Sequence, residues 1–165
     1  MRISGRALRE YVQLLGPLLG LVAGVWAVRL ILSLLGAPVG LVRVFSVTVM
    51  SAVCILLAVL LIHVRRFGGY YSVIVSVFLL TFWSQLLIIA AIALTLFTGT
   101  GNIFTAPEYS GGRNVSAVAH ILGHLTFGVG LGTLFGSAMG CVLFWMIRRV
   151  APLQSQAPGV RRRDS

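Results

Sequence analysis

Four long apolar runs, at residues 11–35, 44–64, 71–97 and 121–147, constrain this chain more than any motif it carries. Each is near or above the roughly 20 residues that take an α-helix across a bilayer. A closed barrel is the other spanning solution, since lipid offers no partner to an unbonded backbone group. Barrel strands alternate polar and apolar residues over about ten positions, and unbroken stretches such as VCILLAVLLIHV and LLIIAAIALTLF do not. With 58% hydrophobic and only 10% charged residues and a mean hydropathy of +1.01, the chain lacks the charged surface that a soluble fold requires.

The expected fold is all-α: a single membrane domain over 1–165 whose four transmembrane helices form an up-down-up-down antiparallel bundle. The expected parts are a cytoplasmic tail at 1–10, helices at 11–35, 44–64 and 71–97, and an outer loop at 98–113. A fourth helix follows over 114–147, capped by Asn114 or Ser116 and containing the last span, and a basic tail occupies 148–165.

The net charge of +10 sets topology here. All 13 basic residues are arginines, and ten of them (Arg2, Arg6, Arg9, Arg65, Arg66, Arg148, Arg149, Arg161, Arg162 and Arg163) fall on one side of a four-span layout. Cytoplasmic loops carry the excess of positive charge, so both termini are expected inside the cell, with the basic ends resting on anionic lipid headgroups and binding no nucleic acid. The first apolar run is too long for a cleavable signal, whose core spans about 7 to 15 residues, and helix 1 is read as retained. Cys54 and Cys141 both fall inside spans, as small buried hydrophobes with no disulfide framework. The all-arginine, lysine-free composition points to a GC-rich bacterium and hence to the bacterial inner membrane.

Two glycine ladders with a four-residue step, Gly16, Gly20 and Gly24 in the first run and Gly128, Gly132, Gly136 and Gly140 in the last, mark helix faces where backbones approach closely. At matched depth in an antiparallel bundle, they are expected to pack helix 1 against helix 4. The alternative is a seam between copies, or a pore-lining face on helix 4. Ser51, Gln85 and Thr133 share a midplane level and are expected to form an interhelical polar network. No acid lies in any span, since the only ones are Glu10, Glu108 and Asp164, so the usual mark of a coupled pump is missing. Arg29 is expected to snorkel outward beside Trp26. The alternative pairs it with Glu108.

His120 and His124, at i and i+4, can place two imidazoles on one metal, with Glu108 as the available third ligand. The competing account makes them interfacial hydrogen-bonding residues. Haem ligation within one chain fails, because the remaining histidine, His63, belongs to the opposite end of the bundle. No cofactor is expected, and no catalytic residues are assigned. Three acids and three histidines scattered over both membrane sides assemble no acid-base or nucleophilic pocket. The function expected is that of a non-enzymatic interaction or accessory protein, partnered by the lipid bilayer and by other copies of itself or a larger membrane complex. A homo-oligomeric channel or small-solute transporter, and a metal-binding or redox subunit using His120 and His124, are the alternatives.

Overall fold

A computed structural model describes residues 2–3, 6–106 and 116–151. The fold is all-helical apart from a two-residue antiparallel pairing of β1 (Arg2–Ile3) with β2 (Arg6–Ala7) that leads into the first helix. The helices are α1 (Leu8–Leu34), α2 (Val39–Val44), α3 (Val47–Val64), α4 (Tyr70–Thr98), α5 (Ala117–Gly123) and α6 (Val129–Val150). Four of the helical stretches are long and apolar enough to cross a membrane, which makes the chain a multi-pass membrane protein.

Local chemistry sets the ends. Glu10 accepts from the Ala7 N–H at 2.9 Å and pairs with Arg6 at 2.9 Å, fixing the start of α1. The Ser46 hydroxyl accepts from the Val49 N–H and caps α3. Thr98 gives way to Gly99, whose φ of +68° is the left-handed stop that glycine adopts without strain. The connection expected as plain loop between the first two spans contains α2, which starts directly after Pro38, where the fixed φ of proline suits the approach to a first turn.

The order of packing differs from the expected one. Helices α3 and α4 form the central pair; α1 lies against both on one side and α6 against both on the other. The expected contact between the glycine ladders of helices 1 and 4 is therefore not made. A Cβ built on Gly16, Gly20 or Gly24 would meet nothing within 4 Å. On α6 and the turn before it the ladder is filled, but by α4. Such a Cβ would stand 2.6 Å from Gln85 Oε1 at Gly128, 2.7 Å from Thr81 Cγ2 at Gly132, 2.8 Å from Val77 Cγ1 at Gly136 and 3.0 Å from Val73 Cγ1 at Gly140. Partners four residues apart and running backwards are what antiparallel helices in register require. The side chains that fill the ladder of the last helix belong chiefly to α4.

At the end nearest the described N-terminal residues, Tyr11 packs edge-on against Phe67 with centroids 5.0 Å apart and donates to Ser72 Oγ at 3.2 Å, while Arg6 lies over the Phe67 ring. Tyr70, His63 and Arg148 surround the buried Phe144. The remaining chemistry is concentrated at the other end.

Candidate cavity at the end of the bundle

At that other end α4 stops at Gly99, and the chain folds back on the bundle through Asn102. The Asn102 side-chain amide donates to the Ala91 carbonyl and to Thr95 Oγ1, both at 2.8 Å, and its Oδ1 accepts from the Phe104 N–H at 2.9 Å. The Ile103 N–H donates to Ser33 Oγ of α1 at 2.8 Å. The side chains of Asn102, Ser33 and Thr105 thus satisfy the N–H groups of a turn whose residues 102–104 are all buried. Ile103 and Phe104 become the lid of a cavity of about 350 Å³.

The cavity draws its walls from nearly every element: Arg29 from α1, Arg43 from α2, Ser46, Val47 and Thr48 at the start of α3, Ile88 from α4, Ile103 and Phe104 from the turn, and His120 and His124 from the last span. Arg29, expected to reach outward, is instead only 8% exposed, and its guanidinium stands over the Phe104 ring at 5.0 Å. The turn that closes above it decides this, because Phe104 offers the cation a π face inside the protein. Glu108, named as its alternative partner and as a third metal ligand, lies outside the described residues, as does Asn114; Ser116 caps α5 by accepting from the Ala119 N–H at 3.2 Å.

The two histidines are brought together. His124 Nδ1 lies 2.7 Å from Gln85 Oε1, and His124 Nε2 lies 3.2 Å from His120 Nε2. With the Gln85 carbonyl as acceptor, the neutral His124 ring carries its proton on Nδ1, and its Nε2 accepts a hydrogen bond from the His120 Nε2–H. The backbone is shaped for this. Residues His124–Gly128 form a π-helical turn, in which the Thr126 hydroxyl donates to the Leu122 carbonyl at 2.7 Å. Gly128 leaves the space into which the Gln85 side chain fits.

Gln85 therefore does not serve the midplane network expected of it. It lines a second cavity, of about 280 Å³, together with Thr48, Ser51, Thr81 and Ser84. Thr133 is absent from that lining, and its buried hydroxyl has no hydrogen-bond partner among the described residues. One residue beyond Gly132 turns it about 100° around the helix, away from α4. The two cavities share Thr48, and the Gln85–His124 bond joins a wall of one to a wall of the other.

Among the described residues, no group of three His, Cys, Asp or Glu side chains is close enough to hold a metal ion. The histidine pair shares its cavity with the guanidiniums of Arg29 and Arg43. Comparison with known protein families, curated proteins and solved structures finds no match for this chain.

Asn102 and Arg43 escaped the sequence reading. An Asn-x-x-Thr turn preceded by Gly99 and Gly101 is the local signal for the first. Arg43 carried none, because its proximity to Arg29 and the histidines is tertiary.

Proposed function

We propose that this protein is a non-enzymatic assembly or accessory protein of the bacterial inner membrane, with both termini cytoplasmic, that binds another membrane helix along the outer face of α1. The observation carrying this reading is the contrast between the ladders. Every glycine of the last ladder, Gly128, Gly132, Gly136 and Gly140, is filled by α4, whereas Gly16, Gly20 and Gly24 face open space. An unfilled small-residue face lets a second backbone approach closely, and in lipid such packing is a main source of helix association. Because α4 side chains occupy the α6 ladder, it offers no pore lining, and the channel reading loses its main support.

The test is the mass of the protein purified in mild detergent, with photobleaching step counts in nanodiscs. The wild type is expected as an oligomer or a defined complex. Gly20→Leu is expected to release monomers that keep their helical content, and Gly130→Leu, also in open space but off both ladders, is expected to leave the assembly intact. A monomeric, partnerless wild type, or an assembly indifferent to Gly20→Leu, sinks the proposal.

A further inference from the structure

We propose that the second cavity, between α3, α4 and α6, binds the head of an uncharged lipid carrying hydroxyl and carbonyl oxygens, an amphiphile of the diacylglycerol kind that enters from the bilayer. This inference does not depend on the assembly reading. The described residues of its walls come from three of the spans, Val39–Val64, Tyr70–Thr98 and Ala117–Val150. They bring neutral polar groups, the hydroxyls of Thr48, Ser51, Thr81 and Ser84 and the amide of Gln85.

Hydrogen bonding left unused marks this cavity as a site. Ser51 and Thr81 are only 7% and 4% exposed, yet neither hydroxyl has a partner among the described residues. In a helix such a hydroxyl can donate to the carbonyl four residues back, as Thr95, Thr98 and Thr126 do here. Ser51 and Thr81 line the cavity instead. Gln85 spends its carbonyl on His124, which leaves its N–H groups beside the same space without an acceptor among the described residues. Ser84 gives its proton to the Thr81 carbonyl at 2.8 Å, so its oxygen is left to accept. Polar groups unpaired within a membrane cost free energy, and a ligand that pairs with them recovers it.

The unused set is mostly donors, with the Ser84 oxygen as an acceptor among them. A carbonyl oxygen answers the Gln85 N–H groups and the free hydroxyls, and a ligand hydroxyl answers Ser84. A charged head would exchange water for partners that carry no charge. Shape supplies the rest of the occupant. The cavity holds about 280 Å³, less than the roughly 300 to 1,000 Å³ that encloses a whole drug-sized ligand. Phe135 and Met139, 69% and 43% exposed, belong to its lining and stand at the surface of the bundle. The cavity therefore opens sideways onto hydrocarbon, and acyl chains can leave through that opening.

The experiment uses the full chain in neutral detergent, with dioctanoylglycerol titrated as a mole fraction of the micelle. Hexadecane, which lacks oxygen, and dioctanoyl phosphatidic acid, which is charged, are the comparisons. Thermal unfolding reads binding, and a diazirine-bearing diacylglycerol maps the site by peptide mass spectrometry. Saturable stabilisation by dioctanoylglycerol is expected, with label on Phe135 or Met139. Thr81→Val and Ser51→Ala remove hydroxyls that hold nothing in the unliganded protein. They are expected to leave its stability unchanged or raised while weakening binding about three- to tenfold. Thr133→Val removes a buried, unpartnered hydroxyl outside this lining and is expected to leave binding unchanged. The proposal is overturned if wild type shows no saturable stabilisation, as a cavity holding water alone would behave, or if the label falls elsewhere. It is equally overturned if hexadecane or the phosphatidic acid stabilises as well as dioctanoylglycerol, or if Thr81→Val binds like Thr133→Val.

Discussion

Gln85 and Asn102 are the residues on which the cavity end of the bundle depends. Gln85 reaches His124 only because Gly128 lacks a Cβ, and it fixes the proton on one nitrogen of that ring. Replacing it by leucine removes the acceptor and leaves the Nδ1–H facing an apolar group. Gln85→Leu is expected to lower stability by about 1 to 2 kcal/mol and to change the His124 tautomer balance, which ¹⁵N imidazole shifts in micelles would report; unchanged shifts would refute the link. Asn102 ties its turn to α4 and to the Phe104 N–H. Asn102→Ala leaves the Phe104 N–H without its acceptor and should cost about 1 to 3 kcal/mol. Amide exchange at Ile103 and Phe104 should accelerate with it, and protection equal to wild type would contradict the role given to this side chain.

Among the elements, the two glycine-bearing helices have opposite fates although their sequence signal is the same. Gly136→Leu drives a side chain into Val77 and Ile55, which stand 2.8 and 3.2 Å from the position of its Cβ. A loss of about 1 to 3 kcal/mol is expected from such overpacking. Gly20→Leu and Gly130→Leu meet open space and should leave the stability of the separated bundle within about 0.5 kcal/mol of wild type. Unfolding in detergent, under conditions that separate the copies, checks the three together; equal losses at all three would mean that α1 is packed against something inside the same chain. The last span is also the least enclosed, with 17% of its window buried against 39% for α3 and α4. Its attachment thus rests on the close contacts with α4 and α3 that its glycines permit.

For the whole molecule, the arginines separate by end. Arg6, Arg65, Arg66, Arg148 and Arg149 flank the helix ends nearest the described N-terminal residues, and Arg29 and Arg43 sit at the cavity end. Reporter fusions at the C-terminus are expected to read cytoplasmic, and fusions within 98–113 external. An external C-terminus would reverse the orientation and move the cavity to the cytoplasmic leaflet.

Length and hydropathy alone determined the helical class and the number of helices able to span a membrane, because a chain in lipid must satisfy its backbone within each segment and about 20 apolar residues do so in one way. The close approach of α6 was legible in its glycine period, and the shared face of His120 and His124 in their spacing. Which helix receives those glycines, and which partners the histidines find, was not. A four-residue period states that a face is narrow but says nothing of what fills it. Only the tertiary structure set α4 against α6, left the α1 ladder open, and folded residues 102–104 over Arg29. These outcomes turn on the side chains of separate elements, Gln85 and Thr81 on α4, Ser33 on α1 and Phe104 in the turn, and their mutual fit exists only once the helices have packed.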